Sequence, residues 1–388
     1  MPALSPMSGT NSTNSTNSTN STNSTNSTNS TNSTNSTDAF GFPGYSGTLP
    51  SPMLSAALDS SRQHTVNQRM IDDEQSLPPK DRPLHGKWTR THQAAYLKRW
   101  DANTRFLLIT TDLVSGLAFD ESVPERIGVQ TGGTEIAGFT RPPSQVFETQ
   151  LQLVFDRMPE RAERMGEILT QVAPQFAFWS SVCYLHPERN PKTLDLMYIA
   201  LYFSMLVTQR VKHALACPRP SELSPHVQPI ILPPTYSAWP SGHATEAYMF
   251  AKVMAALWNT DRTGKLQDAP VDIRVNQLFE QARRIADNRV IAGLHYPLDG
   301  FAGFVLASAM SDYFIARATG GGNVPVYAAD GSKSPELLGN LRDSPATAFT
   351  NPALGSAFSR SAEAAAPVPA STLLAWMWGE AQSELNYL

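Results

Sequence analysis

The run from Pro191 to Ala216 does most to restrict what this chain can become. It is strongly apolar, is opened by Asn190-Pro191 and is stopped by Pro218. Asn-Pro supplies an N-cap and a preformed first turn. The residue before a proline is pushed away from helical backbone angles. A helix through about Ala216 is therefore predicted. Similar spacing recurs on both sides of it. Thr91 to Leu117 sets Tyr96, Leu97, Trp100, Phe106, Leu107, Ile109 and Leu113 at near-helical intervals, enough for one long or two shorter helices. Ser144 to Arg157 and Glu160 to Tyr184 read as two more, broken at Met158-Pro159. Ser241 to Trp258, Val271 to Ala292 and Leu298 to Ala316 complete the set. Strand-like alternation is scarce, so the expected fold class is all-α, a helical bundle frayed at both ends.

Composition divides the 388 residues. Residues 1–85 are poor in large apolar side chains and include nine copies of Asn-Ser-Thr at 11–37. Such a segment buries too little apolar surface to offset its ordering entropy and is expected to be disordered. Each copy is formally an N-glycosylation acceptor, and a simple-sequence expansion is the plainer account. Residues 38–82 read as a linker, 86–320 as the helical domain, and 321–388 as a loop-rich tail closed by a short helix near Ser371 to Leu385. A net charge of −4 gives no sign of a nucleic-acid partner. Cys183 and Cys217 have no metal-ligand spacing and make no disulfide framework. No basic head with an apolar run marks a secretory signal. The best membrane candidate, Leu196 to Gln209, falls short of the roughly 18 residues a span needs. The expectation is a soluble, cytoplasmic protein with no membrane span.

Three segments put anion-seeking groups beside helix ends. In Lys212-His-Ala-Leu-Ala-Cys-Pro-Arg219-Pro220, Lys212 lies near a helix C-terminus and Arg219 is stiffened by flanking prolines. Cations there are favoured by the helix dipole alone, yet a fixed guanidinium also suits an oxyanion. In Trp239-Pro-Ser241-Gly242-His243, Ser241 is a natural N-cap, and the amides of Gly242 and His243 would point outward at the positive helix end. His243 can move a proton near neutrality; an ordinary capped helix is the alternative. In Asn288-Arg289-Val-Ile-Ala-Gly293-Leu-His295-Tyr-Pro297-Leu-Asp299, Gly293 can stop one helix and Pro297 start the next. His295 would then face the same site as Arg289. Asp299 would fix its tautomer and leave the other ring nitrogen free as nucleophile or ligand. A half-buried His–Asp pair is the structural alternative.

Taken together, the order and spacing of these segments resemble the phosphatidic-acid phosphatase type 2 (PAP2) superfamily, which includes the vanadium-dependent haloperoxidases. The shared pattern is Lys, six residues, Arg-Pro; Pro-Ser-Gly-His; then Ser-Arg, five residues, His, three residues, Asp. Here Asn288 replaces the serine. The resemblance implies a mostly helical bundle with its site among helix ends. It implies that Lys212, Arg219, Ser241, Gly242, His243 and Arg289 hold vanadate or phosphate, and that His243, His295 and Asp299 are catalytic. In a haloperoxidase His295 would be the axial ligand of a vanadate cofactor, with hydrogen peroxide and halide as substrates. In the alternative, a soluble acid phosphatase without cofactor, His295 would form a phosphohistidine with a phosphate ester and His243 would protonate the leaving group. The segments Ser241 to Thr245 and Leu294 to Gly300 are more similar to the soluble haloperoxidase branch. Tyr236, seven residues before His243, falls where haloperoxidases carry an aromatic or histidine near the halide; a packing role is the other account. A non-catalytic phosphate binder is the third reading.

Overall fold

The computed structural model describes residues 94–172, 175–259, 273–333 and 356–385, together with 56, 59–61 and 349. The Asn-Ser-Thr repeat and nearly all of the linker expectation lie outside these residues. The described residues divide between two units at Leu107/Leu108. In the first, Ala94–Arg99 makes a 3-10 turn. Asp101 then opens helix α1 (Ala102–Ser115), which continues past Leu107 into the second unit, and accepts from the Thr104 amide at 2.9 Å and its hydroxyl at 2.6 Å.

In the second unit the chain first makes strands β1 (Ala118–Asp120), β2 (Arg126–Thr131) and β3 (Thr134–Thr140). Helices α2 (Ser144–Arg157), α3 (Arg161–Thr170), α4 (Phe176–Cys183), α5 (Pro191–Leu215) and the one-turn α6 (Pro220–Leu223) follow. Next come α7 (Gly242–Trp258), α8 (Ile273–Ile291) and α9 (Pro297–Ala318), then β4 (Gly322–Asp330), β5 (Phe358–Val368) and α10 (Thr372–Leu385). The helices expected from apolar spacing are present, although the Glu160 to Tyr184 segment is two helices and not one. No helix among the described residues is long and apolar enough to cross a membrane.

The all-α expectation is wrong. Among the described residues β1 to β5 form a mixed sheet in sequence order, antiparallel except for the parallel β3–β4 pair. The β2–β3 hairpin turns on Gly132 and Gly133 at φ +55° and +80°. Two positive φ values in a two-residue turn match the strand twist, and Gly-Gly supplies them without strain. Gly128 and Gly138 pair across these strands, and the Arg126–Glu135 ion pair (2.6 Å) lies over both, where added Cβ atoms would collide with it. On the other face Ile127, Val129, Ile136 and Phe139 are buried. The glycines thus remove side chains from the alternation that would have announced the strands. β4 and β5 come from the segment that reads as loop-rich; β4 is interrupted by Pro325 and β5 is rich in alanine and serine.

The sheet covers one side of α9, with Phe301 stacked on Phe358 at 5.6 Å between centroids. α7 is the central helix. It is apolar almost all round, as a helix enclosed by neighbours must be, and packs on α5, α8 and α9. Trp179 of α4 stacks on its Phe250 at 4.5 Å, and Tyr248 meets Phe304 of α9 edge-on at 5.0 Å. Gly303 on α9 brings the start of α7 close. A Cβ there would stand 2.8 Å from both the Ser241 carbonyl and the Ala244 Cβ. From the sheet, Phe139 packs edge-on against Trp239 at 5.8 Å, behind the loop that enters α7. Glu384 of α10 caps α5, accepting from the Lys192 and Thr193 amides at 2.8 Å each. Both cysteines are free and buried, and burial pushes their thiols up to about 12.

Candidate functional site

The site forms where one helix ends and others begin. Lys212 occupies the last turn of α5 and is almost fully buried. Its ammonium donates to the carbonyls of Ser237 (2.7 Å) and Ala238 (2.8 Å), and the Ser237 hydroxyl returns a bond to the Lys212 carbonyl at 2.8 Å. An ammonium has three donors, so one N–H of Lys212 remains. Arg219 sits at the N-cap of α6. Its amide is held at 2.5 Å by Glu222, and its guanidinium donates to the carbonyls of Tyr236 (2.8 Å), Leu294 (2.9 Å) and Ser237 (3.3 Å). The Tyr236 ring lies 5.4 Å from the Lys212 nitrogen and 5.2 Å from the Arg219 guanidinium carbon, so its π face borders both cations.

Ser241 caps α7, its hydroxyl accepting from the Ala244 amide at 3.4 Å and its own amide donating to the Asp299 carbonyl at 2.9 Å. Among the described residues no protein acceptor meets the amides of Gly242 and His243, the first of the helix. Such amides, at the positive end of the helix dipole, make an anion site.

Asp299 enters from the first turn of α9. Its Oδ2 accepts from His295 Nδ1 at 2.8 Å and from the Tyr296 amide at 3.0 Å. The proton on His295 is thereby placed on Nδ1. Nε2 keeps its lone pair and lies 3.4 Å from an Arg219 nitrogen. His243 is oriented differently: its Nε2 donates to the Gln171 carbonyl at 3.0 Å, which leaves Nδ1 as acceptor. Burial, then the neighbouring cations, hold both imidazoles neutral. His243 is pushed down to about 3, and His295 lies well below the usual imidazole range. Arg289 acts on both rings, an independent sign that these groups surround one point. Burial also drives Lys212 and Asp299 toward their neutral forms.

Arg289, near the C-terminus of α8, is 0% exposed. One of its nitrogens donates to the Ile168 carbonyl at 3.1 Å and to Gln171 Oε1 at 3.4 Å, while Nε and Nη1 have no partner. A buried guanidinium with unmet donors is costly, and no carboxylate answers it. Together with the spare Lys212 N–H and the two α7 amides, these donors fit a tetrahedral oxyanion with several acceptor oxygens.

Every residue expected from the three motifs is therefore in this neighbourhood. Sequence reasoning missed several supports. Gln171, fully buried just after α3, holds Arg289 and Asn288 (2.9 Å) with its side-chain oxygen and His243 with its carbonyl. Glu167, one turn earlier, accepts from Asn288 at 3.0 Å and from Arg284, so the departure from serine at 288 is absorbed by an acidic partner. Glu222 and Glu246 were also passed over. Glu222 had a signal: Arg219-Pro-Ser-Glu222 repeats the device of Tyr296-Pro-Leu-Asp299, proline at the first helical position and an acid at the third. Of the remaining histidines in view, His186, His213 and His226 are exposed.

A family model described as PAP2 superfamily matches residues 194–318. Over 94 residues the chain is 32% identical to a vanadium-dependent bromoperoxidase from Ascophyllum nodosum, a match covering 20% of this chain and 17% of that protein. The chain thus spans about a sixth of the length of the relative it matches. The PAP2 match takes in each of Lys212, Arg219, Ser241, His243, Arg289, His295 and Asp299.

Proposed function

We propose that this chain is a vanadate-dependent, haloperoxidase-like enzyme that oxidises halide with hydrogen peroxide. The observation that carries the oxyanion part is Arg289, a fully buried guanidinium whose Nε and Nη1 have no protein acceptor. The partial similarity to a vanadium-dependent bromoperoxidase favours vanadate over phosphate as resident group. Lys212, Arg219, Arg289, Ser241 and the Gly242 amide would hold its oxygens, and His295 Nε2 would be the protein ligand. When bound, vanadate activates hydrogen peroxide for oxygen transfer to halide, giving hypohalous acid and water with uptake of one proton. Asp299 keeps the His295 proton on Nδ1, so that the lone pair on Nε2 stays directed at the ligand. His243 would accept a proton from incoming peroxide at Nδ1 and return it to the departing oxygen. The fixed donors cost no reorganisation as charge develops.

The neutral, oriented His295 Nε2 equally suits attack on phosphorus, which supports a second reading as a phosphatase acting through a phosphohistidine. Phosphate-free protein assayed with and without orthovanadate separates the two. Bromide or iodide oxidation that requires vanadate and is suppressed by phosphate is the expected result. Hydrolysis of p-nitrophenyl phosphate that vanadate inhibits, without halide oxidation, makes the chain a phosphatase instead. His243→Ala should abolish turnover while leaving anion affinity within about threefold, since its role is proton transfer. A parent protein that binds phosphate and turns over neither substrate is a binder.

A further inference from the structure

We propose that Glu246 makes oxyanion capture in this cage proton-coupled: its neutral carboxyl donates to a ligand oxygen, whereas its carboxylate opposes the ligand with like charge. The inference rests on the oxyanion reading above and adds to it which protonation state the cage accepts. Glu246 stands one turn after Gly242 on α7, hence on the same face. A Cβ placed on Gly242 would lie 4.0 Å from Glu246 Oε1 and 4.0 Å from Lys212 Cε. The carboxyl and the lysine therefore border Gly242, whose amide heads the anion site. No hydrogen bond from another described residue reaches the Glu246 oxygens, and no ion pair joins it to Lys212, whose ammonium is turned to the Ser237 and Ala238 carbonyls.

Two titratable groups from other elements act on it electrostatically, Lys212 from α5 and Tyr236 from the segment between α6 and α7, while Arg219, His243, Arg289, His295 and Asp299 line the same cage. Of these, Lys212 lowers the Glu246 carboxyl, but burial outweighs it and pushes the group up to about 7. Its proton is thus in play at neutral pH. Below that, the carboxyl can donate. Above it, the carboxylate claims the spare N–H of Lys212 and repels the incoming anion.

Inorganic sulfate is the probe, because its charge is constant from pH 6 to 8, unlike that of phosphate or vanadate. Wild-type affinity, measured by titration calorimetry, should fall about tenfold from pH 6 to pH 8, as expected for one group titrating near 7. Binding at pH 8 should take up a proton, read from buffers of different ionisation enthalpy. Glu246→Gln, which mimics the neutral acid, should hold its affinity within about twofold across that range. Glu246→Ser, a smaller replacement, should flatten the profile too. A Glu246→Gln profile as steep as wild type assigns the effect to Lys212 and overturns the proposal, as does binding at pH 8 without proton uptake. Failure of the wild type to bind sulfate at pH 6 instead overturns the oxyanion reading itself.

Discussion

Gln171 illustrates how much of this site depends on residues that carry no charge. Its side-chain oxygen restrains Arg289 and Asn288, and its carbonyl fixes the His243 tautomer. Gln171→Ala removes the first hold and keeps the second. Sulfate affinity should therefore weaken about tenfold, the loss of one hydrogen bond to a charged group, while the pH profile of turnover stays put. Gln171→Glu keeps the acceptor but sets a carboxylate beside Arg289, so sulfate affinity should stay at or below that of alanine; an alanine variant that binds sulfate like wild type sinks the positioning role. The cage residues were legible because each sits at short, fixed spacing from a helix end that the sequence itself marks with Ser241, Gly293, Pro218 or Pro297. Gln171 and Glu167 were not, because they reach the cage from α3, some 117 to 121 residues before Asn288, and nothing local distinguishes them from other polar residues of that helix. Glu246 lay inside the second motif's neighbourhood, one helical turn past Gly242, but a lone glutamate there reads as a solvated face until its place beside Gly242 and Lys212 is known.

The elements show the same division between local and distant information. Helix limits were readable because proline and glycine stops bracket apolar runs. The sheet was missed because its strands are short, because Gly128 and Gly138 interrupt the alternation, and because its parallel pair joins Ala137–Thr140 to Tyr327–Asp330. The Gly132-Gly133 turn was the one strong local hint. The sheet has a consequence for the site, since Phe139 backs Trp239 behind the α7 entry. The α7–α9 crossing has a more direct one. Gly303→Ala would put a methyl group against backbone at Ser241 and Thr245 (2.8 and 3.2 Å), which cannot yield as a flexible side chain does. Overpacking of this kind costs about 1–3 kcal/mol, or roughly 2–4 °C in melting temperature per kcal/mol for a unit of this size. Because the displaced backbone carries the Gly242 amide, sulfate affinity should fall with it. A Gly303→Ala protein that melts like wild type and binds sulfate normally shows that the crossing has slack.

For the molecule as a whole, the cage joins the end of α5, the α5–α6 turn, the start of α7, the end of α8 and the start of α9, so an anion bound there bridges most of the helical core. The same convergence places three cations near one another, with Asp299, Glu222 and Glu246 as acidic groups beside them. A ligand that binds the folded but not the unfolded chain stabilises it by about 2.7 kcal/mol at a hundred times its dissociation constant. Sulfate at that level should raise the melting temperature by several degrees over chloride of equal ionic strength. Arg289 decides whether this arises from the cage. Its Nε and Nη1 are buried without acceptors, so replacing it by a long apolar side chain removes a cost as well as a donor. Arg289→Met should melt no lower than wild type in chloride, yet gain nothing from sulfate. Loss of several degrees in chloride would mean that Arg289 is needed to hold the empty fold together. A sulfate-dependent rise that survives the substitution would place the bound anion outside this cage. The expected pattern, no loss without the anion and no gain with it, is that of a residue kept for its ligand and not for the fold.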